Sequence, residues 1–70
     1  MEGEKLIPIA AWELPYSKKA NLKDVEFDAG MHLLRITIRE GTRITLADMD
    51  AVIAREMGEA MIKWADEQAE

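Results

Sequence analysis

Cysteine is absent from the 70 residues, and histidine and serine occur once each, at His32 and Ser17. The first absence excludes disulfides and thiolate metal sites. The other two scarcities leave no Ser-His-acid triad to assemble, since nothing in the sequence ties Ser17 to His32. The four glycines, Gly3, Gly30, Gly41 and Gly58, are scattered and form no phosphate-cradling loop. Long apolar runs are missing too. The one between Leu6 and Tyr16 is broken by Pro8, Glu13 and Pro15, so neither a signal peptide nor a membrane span is expected, and the cytoplasm is the expected location. From this poverty the sequence is read as non-catalytic, with no catalytic residue, no metal ligand and no cofactor.

Positive charge is scarce only at one end. Residues 1–47 balance seven acidic against seven basic side chains, whereas residues 48–70 set seven acids against Arg55 and Lys63. The net charge of −5 therefore sits on the last element. An acidic element repels phosphate backbones and anionic lipid, which disfavours nucleic acid and membrane as partners. Seventy residues make a single domain, 1–70, that buries only about 60% of its unfolded surface. With no disulfide available, a partner subunit is the expected supplement.

The pattern predicts an α+β fold: a small antiparallel sheet of three to four strands packed by one C-terminal helix, in the order β-β-β-(β)-α. Residues 1–21 read as an extended arm or an edge strand, because two prolines exclude a central position. Ser17 to Asn21 reads as a loop. Val25 to Asp28 alternates as a strand does, Asp28-Ala29-Gly30 is a tight turn, and Met31 to Ile38 is rich in β-branched residues.

Ile44 and Leu46 are expected to share a face with Ile36 and Ile38, which requires a three-residue Arg39-Glu40-Gly41 turn with Gly41 left-handed and pairs Ile36 with Ile44 and Leu34 with Leu46. That register would place Arg35, Thr37, Arg39, Arg43 and Thr45 together on the polar face. The Asp28-Ala29-Gly30 turn pairs Phe27 with Met31 and Val25 with Leu33. Those apolar residues then fall on the arginine face, so either a bulge near Leu33-Leu34 flips the parity or both faces are partly covered.

The helix is expected from about Met49 to Glu67. Asp48 is its natural N-cap and Asp50 suits its first turn, with Thr45 and Asp48 as a rival start. Met49, Ile53, Met57, Ala60, Met61 and Trp64 form a bulky stripe expected to pack on the sheet. A small-residue stripe of Ala47, Ala51, Ala54, Gly58 and Ala65, edged by Ile62, lies beside it. The two span roughly 200° at the helical 100° per residue, while covering a sheet needs little more than ~100°. The surplus points to a second contact, an oligomer face on Ala51, Ala54, Gly58, Ile62 and Ala65. The plainer alternative is that alanine is a good helix former on a solvated flank. Trp12, Tyr16 and Trp64 are expected as anchors for the arm and the helix end.

Few residues suggest chemistry. His32 would face Glu26 in the register above, near Asp24 and Asp28, a set matching no known metal spacing. Arg35, Thr37, Arg39, Arg43 and Thr45 could contact an acidic protein or phosphates. No aromatic side chain is interleaved for base stacking. The leading expectation is an interaction or accessory protein that is a homodimer and acts through an unidentified protein partner. The alternative is an anion or nucleic-acid binder using Arg35, Arg39 and Arg43.

The string Gly30 to Gly41, then Arg43-Ile44-Thr45, Asp48-Met49-Asp50 and Lys63-Trp64-Ala65, with Glu13-Leu14-Pro15-Tyr16 before it, resembles a family of short uncharacterised bacterial proteins. The resemblance implies an independent small protein and no assigned activity.

Overall fold

Four strands and a helix follow one another in a computed structural model that describes residues 4–68. β1 is Glu4–Leu14, β2 Lys18–Phe27, β3 His32–Glu40, β4 Arg43–Met49, and α1 Ala51–Gln68. The strands form an antiparallel meander in the order β1-β2-β3-β4. The expected α+β architecture is what the chain adopts.

Proline placement explains β1. It is an edge strand, where a missing N–H need not break a ladder. Its register against β2 shifts between Pro8 and Ala10, so the one irregularity of that pairing sits beside a proline. The polar stretch from Lys18 to Asn21 is strand, not loop; the connection is confined to residues 15–17. Tyr16 and Ser17 there take positive φ angles of 66° and 62°, a conformation that disfavours side chains.

The β2–β3 hairpin follows its turn chemistry. The Phe27 amide donates to Met31 O and the Gly30 amide to Phe27 O, both at 2.9 Å. Gly30 occupies the left-handed region at φ +81°, as a three-residue loop requires. Val25 thus pairs with Leu33 and Glu26 with His32.

The β3–β4 hairpin departs from expectation. Glu40 pairs with Arg43 across a two-residue Gly41-Thr42 turn. Gly41 at φ +57° takes the first central position, the pattern of a type II′ turn. Facing positions then have opposite parity to the one expected. Ile36 faces Ala47, Thr37 faces Leu46, and Arg39 faces Ile44. The assumption that failed is a single apolar face. Ile44 and Leu46 instead join Leu6, Val25 and Leu33, so both faces carry apolar residues and no bulge is needed at Leu33-Leu34.

One face, which we call the smooth face, carries Ile7, Ala10, Trp12, Leu14, Ala20, Leu22, Leu34, Ile36, Ile38, Ala47 and Met49. The other, the basic face, carries Lys19, Lys23, Arg35 and Arg39 with Glu4, Glu13 and Asp48, among Leu6, Val25, Leu33, Ile44 and Leu46.

Asp50, not Asp48, caps α1. Its Oδ1 accepts the Ile53 amide at 2.9 Å, and its carbonyl accepts the Ala54 amide. Asp48 is a strand residue spent on Arg35. The start set by Thr45 is overturned as well, since Thr45 lies within β4.

Packing is sparse. Val25 is the one buried hydrophobic side chain among the described residues. No residue of α1 is buried. The bulky stripe does not pack on the sheet: Ile53, Met57, Met61 and Trp64 are 38–64% exposed. The helix positions that are half-buried are Ala54 and Gly58, of the small stripe. Trp12, Tyr16 and Trp64 anchor nothing, with Tyr16 91% exposed.

Candidate functional site

Antiparallel register assembles two polar clusters, one on each face of the sheet. On the basic face, β2 and β3 bring Lys19 opposite Arg39, Asn21 opposite Thr37, and Lys23 opposite Arg35. These residues line a groove of about 460 Å³ together with Leu6, Ile44 and Leu46. Arg43 and Thr45, expected beside Arg35 and Arg39, lie on the other face because of the two-residue turn. Lys19 and Lys23 take their place. Their signal was available, since Lys19-x-x-x-Lys23 keeps one face of a strand, but the segment around Lys19 reads as a loop in a local scan.

The arginines are not equivalent. Arg35 donates from Nε to Asp48 Oδ1 at 2.8 Å and from Nη2 to Asp48 Oδ2 at 3.0 Å. This fork geometry is the strongest form of the pair. It also lies 3.9 Å from Glu4 on β1, reaching across the strand that holds Val25. The hydrogen bond from Arg35 holds the Asp48 carboxyl below its ordinary range, and the same bond raises Arg35 further. Lys19, Lys23 and Arg39 have no ion-pair partner among the described residues, although Glu13 stands opposite Lys19 on β1. Like charges directly opposite each other in a ladder repel, so Lys19–Arg39 concentrates positive potential, while Asp48 and Glu4 offset that of Arg35 opposite Lys23. Asn21 adds a buried Oδ1 with no hydrogen-bond partner.

On the smooth face, His32 and Asp24 meet at 2.8 Å, Nδ1 to Oδ1. Glu26 is His32's direct partner in the ladder, but the hydrogen bond runs to Asp24. That bond, then the charge of Asp24, then Glu26, raise the imidazole above its ordinary value, with slight burial opposing. Asp28 lies in the turn and does not join them. Among the described residues no group of three or more His, Asp or Glu is placed to hold a metal ion. His32, Asp24 and Leu34 line a cleft of about 480 Å³ with Ile9, Ala51, Ala54 and Arg55, so α1 begins beside the smooth face. Ser17 lies in the turn between β1 and β2, not beside the His32–Asp24 pair.

The candidate oligomer residues divide. Ala51 lines that cleft, and Ala54 and Gly58 are half-buried. Ile62 and Ala65 are exposed. A Cβ added at Gly58 would meet nothing within 4 Å.

The model of a family of unknown function, DUF6967, matches residues 3–67. The chain belongs to that family. DUF6967 thus spans all four strands and nearly the whole helix, so its unit is the sheet and helix together. No curated protein and no solved structure matches the chain. Among the described residues no helix is long and apolar enough to cross a membrane.

Proposed function

We propose that this DUF6967 protein is a non-catalytic interaction protein of the cytoplasm, a homodimer that acts through a further protein partner. One observation carries the reading: among the described residues Val25 is the one buried hydrophobic side chain, while the bulky stripe of α1 stands in water. One fully buried valine among half-buried neighbours is little to set against the conformational entropy of ordering some 65 residues, at about 1–2 kcal/mol for each backbone. A second chain would supply the missing burial. Light scattering tests the assembly. A mass twice the 7.9 kDa of one chain is expected, and a 7.9 kDa species at high concentration removes the reading. Photo-crosslinking from position 44 in native cells tests the partner. A discrete adduct with a different protein is expected, since Ile44 is 53% exposed in the basic groove.

The groove favours a second reading, in which the same face takes a polyanion. Its support is the set of three cations, Lys19, Lys23 and Arg39, pressed together by register. Affinity for a polyanion would then fall steeply with salt, at roughly one power of salt per phosphate contacted. Lys19→Ala with Arg39→Ala is the informative double variant. Arg43 faces away, and Arg35 is held by Asp48. Absence of polyanion binding at low salt ends this reading.

A further inference from the structure

The helix leaves the sheet through a connection of one residue. β4 ends at Met49 and α1 begins at Ala51, with Asp50 between them acting as the cap. Strand-to-helix connections that fold a helix back over its own sheet use about two to six residues. One residue steers α1 off the end of β4. Only its start stays near β3, at Ala51 and Ala54, and every described residue after Gly58 is exposed.

The chain therefore carries two unfinished surfaces. The smooth face of the sheet has an apolar centre that α1 reaches only at its start, and α1 is an apolar stripe without a floor. Each is what the other lacks, and the short connection keeps them apart within one chain. Their dimensions agree. Eighteen helical residues run about 27 Å, and the nine residues of β3 about 30 Å.

Area points the same way. A folded monomer of this mass exposes roughly 4,400 Å², whereas the chain exposes 5741 Å². The surplus is on the order of 1,000 Å² per chain, or about 2,000 Å² for two, where permanent homodimer interfaces begin. The radius of gyration, 14.1 Å, exceeds the roughly 11 Å of a compact 70-residue domain in the same sense.

Resting on the homodimer reading above, we propose that two copies exchange helices: α1 of each lays Ile53, Met57, Met61 and Trp64 on the smooth face of the other. The contact is isologous, because the helix of one copy meets the sheet of its partner and the reverse holds by the same two-fold axis. The occupant of both surfaces is a second copy of this chain. Exchange follows from the short hinge, which strains the closed monomer and not the dimer.

The absence of cysteine makes the test clean. One chain carries Met57→Cys on the helix and another carries Ala20→Cys on the smooth face; the two are mixed and oxidised gently. A heterodisulfide is expected at least tenfold faster than with Lys19→Cys, whose side chain leaves from the opposite face. A dimer that forms no faster adduct at Ala20 than at Lys19 overturns the exchange and leaves the homodimer standing. A monomer at every concentration removes both. Should a cysteine variant fail to fold, contacts between labelled and unlabelled unmodified chains in isotope-filtered spectra decide the same point. Trp64 should touch Leu22 or Ile36 of the other chain, and intrachain contacts alone count against the proposal. A short Gly-Ser linker inserted between Met49 and Asp50 frees the helix to fold back. It should raise the dimer dissociation constant at least tenfold, and an unchanged constant overturns the role of the hinge.

Discussion

The sheet and the helix are stabilised by different means. β2 and β3 are bonded on both sides, carry the one buried side chain, and fix Arg35 against Asp48 at 2.8 Å. α1 has a capping aspartate, a mid-helix glycine and a greasy stripe, yet buries nothing. In proteins most helical stability comes from packing an apolar face, and α1 packs little of its own. The sheet carries the register and the one buried side chain among the described residues, and the helix is an element waiting for a surface.

The largest way to break that comparison is at Val25. Val25→Ala should cost about 2 kcal/mol by removing transfer energy and leaving a cavity, read as a lower denaturant midpoint for the whole chain. A loss under about 0.5 kcal/mol would show that the sheet does not depend on its centre.

Cutting the helix loose is the next step. Asp50→Ala should cost about 1 kcal/mol through the lost cap on Ile53. Circular dichroism should show it as lost helicity, with the strand signal retained. Strand and helix signals falling together would mean that the two regions are one cooperative unit.

Gly58 sharpens the contrast in the opposite direction. An added Cβ meets open space, so Gly58→Ala should stabilise α1 by up to about 1 kcal/mol. Destabilisation would reveal a close neighbour at this position that a single chain does not contain.

The smallest effect is electrostatic. His32 is raised by its hydrogen bond to Asp24, so its contribution to stability is full below the ordinary imidazole value of 6.5 and fades as pH climbs through the raised one. His32→Gln should flatten stability between pH 6 and 8, a window set by the usual imidazole range, and leave the acid limb unchanged. Asp48, lowered by Arg35, acts on that limb: its contribution is present above the ordinary carboxyl value and is lost as pH falls. A pH profile identical to that of the parent would show that the Asp24 contact is inert.

Legibility in the sequence tracked the range of the interactions. Asp28-Ala29-Gly30 announced its own turn and with it the Val25–Leu33 and Glu26–His32 pairs, since a left-handed glycine and two alternating strands leave little choice. Pro8 and Pro15 announced an edge strand. The candidate site was legible only in part. Arg35, Thr37 and Arg39 share a face by strand parity alone. Arg43 and Thr45 depended on whether Gly41 closes a two- or a three-residue turn, and both choices satisfy glycine. The Arg35–Asp48 fork and the Glu40–Arg43 pairing favour the shorter one, and both are visible only once the strands are side by side.

Composition and local chemistry by themselves determined that this protein has strands followed by a helix, where two of its hairpin glycines turn left-handed, and that its charge gathers on the last element. Tertiary structure alone decided the parity of β4, the replacement of Arg43 by Lys19 and Lys23 in the basic groove, and which stripe of α1 meets water. The physical reason is that side-chain periodicity marks a face as apolar without naming what covers it. Here a one-residue hinge, a matter of chain geometry and not of hydrophobicity, turns the helix away from its own sheet.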